Sequence, residues 1–130
     1  MYFEVKVLGT DKEQQTKLEL NYLVDACDFA QAETKSVEDA FVYGTEIFAK
    51  DIKRSKVGEV VGDGTKEFYY KIKVKLIVFD CDKERKTNWL YLVNANDTDD
   101  AVKVLREYMK DSATEYTIGV ISETKINNVL

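Results

Sequence analysis

Tyr22-Leu23-Val24-Asp25-Ala26 and Tyr91-Leu92-Val93-Asn94-Ala95 are one pentapeptide written twice, 69 residues apart, with aspartate exchanged for asparagine at the fourth place. Working outward without a gap, residues 17–61 align on 86–130, and thirteen of the 45 positions are identical. About three matches would arise by chance from ordinary residue usage. The identities include Lys17/Lys86, Asp28/Asp97, Ala32/Ala101, Glu38/Glu107, Thr45-Glu46/Thr114-Glu115, Ile52/Ile121, Lys56/Lys125 and Val60/Val129. Upstream, an offset of 67 lays Phe3-Glu4-Val5-Lys6-Val7 on Tyr70-Lys71-Ile72-Lys73-Val74, so the copies differ by two residues in the loop after their first strand. The chain reads as an internal duplication in a single domain: a first half over 1–61, a second over 66–130, and a turn over 62–65.

Each half carries the same succession of periods. Phe3, Val5 and Val7 alternate with Glu4 and Lys6, and Ile72, Val74 and Leu76 alternate with Lys71, Lys73 and Lys75, the two-residue period of a strand with one buried face. A polar loop follows (Asp11–Thr16, Asp80–Thr87) and leads into a second strand, Leu18–Ala26 or Asn88–Ala95. Asp28 with Gln31, and Asp97 with Asp100, then have the spacing of helix caps. Phe29, Ala32, Val37, Ala40 and Phe41 predict the inner face of the first helix, and Ala101, Val104, Leu105 and Tyr108 that of the second. Gly44 reads as a left-handed cap. A third strand, about 46–54 or 115–122, closes each half and leaves a short tail at 57–61 or 126–130. The predicted class is α+β: a duplicated strand-strand-helix-strand unit, two helices on mostly antiparallel sheet, and a pseudo-two-fold axis. Whether the sheet is one or two is not decided by pattern.

Composition bounds the function. Hydrophobic residues make up 45% of 130, enough for a core. A net charge of −5 disfavours a nucleic-acid coat protein. No run of about 18 apolar residues and no leader pattern is seen, so the expected setting is the cytoplasm without a membrane. There is no histidine, which removes the commonest general base and zinc ligand. Cys27 and Cys81 lack metal or redox spacing and read as free thiols in or near the core. Trp89 is expected in the core as well, with an interface as the other option.

Two clusters compete as sites. Asp25, Asp28, Asp97, Asp99 and Asp100 gather at the helix starts, where capping and the helix dipole already favour carboxylates. No catalytic residue, metal or cofactor is assigned there. The hairpin loop from Asp80 to Lys86 lacks the glycine and closing glutamate of a calcium loop and reads as a solvated turn. Gly62-Asp63-Gly64-Thr65 lacks the ending of a phosphate loop. The basic residues carry more: Lys71, Lys73 and Lys75 leave one strand face at intervals of about 7 Å, beside Tyr69 and Tyr70, while Lys53, Arg54 and Lys56 follow the third strand of the first half. Cations interleaved with rings hold phosphates and stack bases. The competing reading is ordinary solvation of an exposed or edge strand.

Along nearly its whole length the chain resembles a family of small proteins from Bacteroidota and their phages, known as a domain of unknown function. The resemblance rests on Phe3-Glu4-Val5-Lys6, the Tyr22–Ala26 signature, Asp28-Phe29-Ala30-Gln31-Ala32-Glu33, Asp51-Ile52-Lys53-Arg54, Tyr116-Thr117-Ile118 and Ser122-Glu123-Thr124-Lys125-Ile126. It departs at Val5, where many members carry cysteine. It implies a bacterial or phage intracellular setting and brings no catalytic residues. The leading expectation is a non-enzymatic binding protein, associating as a homo-oligomer. It would modulate host or defence functions by binding a host protein or sequestering an anionic nucleotide. The alternative is an accessory nucleic-acid-binding module, and an enzyme working with carboxylates alone comes third.

Overall fold

Strand β1 (Tyr2–Asp11) realises the first alternation, and it pairs antiparallel with β2 (Lys17–Asp25) across a short loop. Helix α1 (Phe29–Ala40) and β3 (Gly44–Arg54) follow, then β4 (Glu59–Val61), β5 (Phe68–Asp80), β6 (Lys83–Ala95), α2 (Thr98–Met109), β7 (Glu115–Glu123) and β8 (Asn128–Val129). The structure, a computed structural model, describes residues 1–112 and 114–130, and Asp80 by its backbone alone. Among the described residues it is α+β, with two helices and two mostly antiparallel sheets ordered β3-β1-β2-β8 and β4-β6-β5-β7. The chain divides into two compact units, Met1–Lys56 with Lys125–Leu130, and Val57–Thr124.

In the first unit Phe3, Val5, Val7, Tyr22 and Val24 form the sheet side of a core that α1 covers with Ala32 and Ala40. In the second, Tyr70, Ile72, Val74, Tyr91 and Val93 pack under Ala101, Leu105 and Met109 of α2. Both helices start as their sequences predict. Asp28 accepts from the Gln31 N–H at 2.8 Å while the Gln31 side chain accepts from the Cys27 N–H at 2.7 Å. Asp97 accepts from the Asp100 N–H at 2.7 Å, and Asp100 accepts from the Asn96 N–H at 3.0 Å. Each cap contributes about 1 kcal/mol by satisfying amides that the helix leaves over.

Several expectations need correcting. The inner face of α1 is Ala32, Ser36 and Ala40, with Phe29 and Phe41 largely exposed. Ser36 is tolerated there because its hydroxyl donates to the carbonyls of Ala32 and Glu33. Tyr108 of α2 is likewise exposed. Gly44 is no left-handed cap: it opens β3, where an added Cβ would stand 2.5 Å from the Thr10 carbonyl oxygen. Close strand approach, not positive φ, requires the glycine. The loop expected over 80–87 is mostly strand: β5 and β6 run on to a two-residue turn at Cys81 and Asp82, both at positive φ. Both cysteines are exposed. Trp89 is 41% exposed and covers Gly58, whose absent Cβ would otherwise meet the indole.

The tails behave least as expected. Residues 59–61 do not trail from the first half but pair parallel with β6 as β4, Glu59↔Tyr91 through Val61↔Val93. Residues 128–129 pair parallel with β2 as β8, Tyr22↔Asn128 and Leu23↔Val129. Positions equated by the sequence offsets make the same bonds. The Ser55 N–H donates to Tyr2 O and the Thr124 N–H to Tyr69 O; the Gly58 N–H donates to Leu90 O and the Asn127 N–H to Asn21 O. Val61 enters the core of the second unit, and Leu130 packs against the core of the first.

Candidate functional site

Because Tyr70, Ile72 and Val74 point at α2, the alternation of β5 sends Lys71, Lys73 and Lys75 to the opposite face of a central strand. Lys73 and Lys75 are exposed, and Lys71 is half-buried and already engaged. Opposite Lys73 stands Leu90, and opposite Lys75 stand Asn88 and Thr117. Neither lysine makes an ion pair among the described residues. The corresponding face of the first sheet is charge-balanced: Glu4 lies opposite Lys53, Lys6 lies opposite Asp51, and Lys6 pairs with Glu19 at 3.1 Å. The faces of β1 and β5 turned away from the helices therefore carry different electrostatics.

The remaining sequence candidates are dispersed. Lys53, Arg54 and Lys56 are exposed in the first unit, the first two on its edge strand β3. Tyr69 and Tyr70 are both buried, so neither ring offers a face for stacking a base. Tyr70 lies on the helix side, edge-on to Phe68. Burial, with Asp63 nearby, pushes the Tyr69 phenol above its usual range. The interleaving of cations and rings in the sequence comes apart because consecutive strand residues face opposite ways.

Sequence reasoning missed the outer half of the β5–β6 hairpin. Beyond the last pairing of β5 with β7, Ile77↔Glu115, the two strands continue alone from Val78↔Arg85 to the turn. This arm holds Phe79, 69% exposed, and Val78, and a shallow depression of about 330 Å³ lined by Val78, Phe79, Arg85 and Thr87. Lys71 to Lys86 contains six basic and three acidic residues in a chain of net −5. The signal available was the apolar run Leu76–Phe79, too long for its half-buried neighbours.

The acidic group resolves into local structure. Asp28 and Asp97 cap helices, Asp25 pairs with the Met1 amino group at 3.0 Å, and Asp100 pairs with Lys66 at 2.9 Å. Asp99 lies in the first turn of α2. Among the described residues no three His, Cys, Asp or Glu side chains are grouped to hold a metal ion. The Asn96 N–H, then the Lys66 ammonium, hold the Asp100 carboxyl below the ordinary carboxylate range. A depressed folded pKa stabilises above the unfolded value of about 3.9 and is lost as pH falls through the folded value. Asp11 and Asp63, lowered by turn hydrogen bonds, and Glu19, lowered by Lys6, act with the same sign. Urea midpoints followed from about pH 6 down to about pH 2.5 should fall in the wild type, and fall less in Asp100→Asn.

No helix among the described residues is long and apolar enough to cross a membrane. Compared with known proteins, residues 1–130 match a family model described as domain of unknown function DUF4494. No curated protein and no solved structure matches the chain.

Proposed function

The chain belongs to the DUF4494 family, and we propose that it is a non-catalytic interaction protein whose β5–β6 hairpin engages an acidic protein surface in a bacterial or phage-infected cytoplasm. The observation carrying this is the contrast between equivalent faces: Lys73 and Lys75 stand opposite neutral residues, whereas Glu4 and Lys6 stand among opposite charges. In this reading the two units are copies of one ancestral segment, and only in the second do two lysines of this face, Lys73 and Lys75, stand outside internal ion pairs. The exposed Phe79, in phase with Lys73 and Lys75 along β5, adds an apolar anchor beside the cations, the combination that gives protein interfaces both energy and orientation. Nucleotides and single-stranded nucleic acid fit less well, since Tyr69 and Tyr70 are buried and leave the lysines without a stacking platform.

The test places a photoreactive phenylalanine analogue at position 79 and irradiates cells making the protein. Adducts with acidic proteins are expected, reduced about tenfold by the pair Lys73→Glu and Lys75→Glu, because steering by charge governs association. Adducts that ignore the charge reversal, or none at all, refute the proposal. Calorimetry against cyclic nucleotides should be silent; heat there transfers the reading to a nucleotide ligand.

A further inference from the structure

We propose that the first unit holds a binding pocket for a neutral aromatic ring that carries an oxygen acceptor. A depression of about 310 Å³ is lined by Leu20 and Tyr22 of β2, Tyr43 from the turn before β3, and Asn127 and Asn128 at the start of β8. All five belong to the first unit, and the volume suits one small ring system. Buried Tyr22 forms the floor, its hydroxyl donating to Asp39 at 2.9 Å, and Tyr43, 48% exposed, offers a ring at the rim. The Asn127 side-chain oxygen accepts from the Asn21 N–H, and that of Asn128 from the Val129 N–H. Both side-chain NH₂ groups are thus left as donors without a partner among the described residues.

The second unit shows what such a corner takes. Shifted by 69, the lining positions become Trp89, Tyr91, Ser112, Gly58 and Glu59, and Asp39 becomes Tyr108. The pairing is the same in both, Tyr22↔Asn128 and Glu59↔Tyr91. There the chain supplies its own rings. Trp89 lies over Gly58 so closely that an added Cβ would meet the indole at 2.5 Å. Tyr108 stands edge-on to Tyr91, ring centroids 6.3 Å apart, and its hydroxyl donates to Glu59. In the first unit Leu20 and Asp39 replace the two rings, so an outside ring can lie against Tyr22 as Tyr108 lies against Tyr91. Asn128 puts a donor where Glu59 puts an acceptor, which asks for an accepting oxygen on the ligand. No lining side chain is charged, and the Asp39 carboxylate stands behind the floor, so a neutral ligand is preferred to an anion.

The experiment titrates the full ¹⁵N-labelled chain with coumarin, a neutral bicyclic lactone, and follows its backbone and side-chain amide resonances. Shifts are expected at the Asn127 and Asn128 side chains and at Tyr43, with a Kd of roughly 0.1–1 mM for so small a ring. Coumarin-3-carboxylate, the matching anion, should bind about tenfold more weakly. Asn128→Asp keeps the acceptor for the Val129 N–H but turns the donor into a carboxylate, and should also weaken coumarin about tenfold. The pair Leu20→Trp and Asn127→Gly installs the second unit's own filling, and should abolish the shifts while circular dichroism stays that of the wild type. No shift up to about 5 mM coumarin overturns the proposal. So do shifts that map elsewhere, shifts that persist in the folded double variant, a carboxylate that binds as tightly, or an affinity unmoved by Asn128→Asp. Should the double variant fail to fold, Asn128→Asp and the anion decide.

Discussion

Replacing Val61 with aspartate is expected to strip amide protection from β5, β6 and α2 while β1, β2 and α1 stay protected longer. Val61 is the last residue of the first half in sequence, yet it is buried among Ile72, Tyr91, Val93 and Leu105 of the second unit. An ionised carboxylate there has no partner and must be hydrated by opening the core, at a cost of about 3–5 kcal/mol. That is a large share of the roughly 5–15 kcal/mol that hold a domain together. Hydrogen exchange read by mass spectrometry locates the loss. The matching substitution, Leu130→Asp, should reverse the pattern, because Leu130 packs against the core of Phe3, Val5 and Val24. Protection lost first from 1–56 in Val61→Asp would show that β4 does not serve the second unit, and the strand assignment would fall.

Why the tails escaped the sequence is a matter of length. A period needs several turns of the pattern to be seen, and β4 and β8 have three and two residues. Their parallel pairing depends on which sheet edge lies in reach, which no local propensity encodes. The long alternations of β1 and β5 and the caps at Asp28 and Asp97 were legible because each rests on near neighbours in sequence. Trp89 was misplaced for a related reason. It points to the helix side, as its register partner Val74 does, but it is covered by Gly58 of the tail rather than by the helix. The candidate site followed the same rule: the lysine face of β5 was readable from alternation, and the exposed arm was not. Its turn residues, Cys81 and Asp82, adopt positive φ without the glycine that usually announces such a turn.

Asn94→Asp changes one atom and should cost about 3–5 kcal/mol at neutral pH. Asn94 is 2% exposed, and its amide is fully used. Its oxygen accepts from the Lys66 N–H at 2.8 Å, and its nitrogen donates to Lys66 O at 3.1 Å and Phe68 O at 3.0 Å. Aspartate puts a second oxygen against those two carbonyls, so the ionised form is repelled and a proton is needed to restore one bond. The variant's folded pKa therefore lies above the unfolded value of about 3.9. Its stability is then retained below the unfolded value and lost as pH rises through the folded one. Urea midpoints should place the variant nearest the wild type in acid and furthest from it at neutrality. Asn94→Ala should cost about 1–3 kcal/mol at every pH, since it orphans the same groups without adding a charge. The aligned Asp25 is exposed and pairs with the Met1 amino group. The difference lies in what crosses each strand end. At Asn94 the link from β4 turns through Gly62, at φ +108°, so closely that a Cβ there would stand 3.0 Å from that of Asn94. A side chain that both donates and accepts is what fastens that link, and a variant as stable as the wild type at neutral pH would show that the link is held by something else.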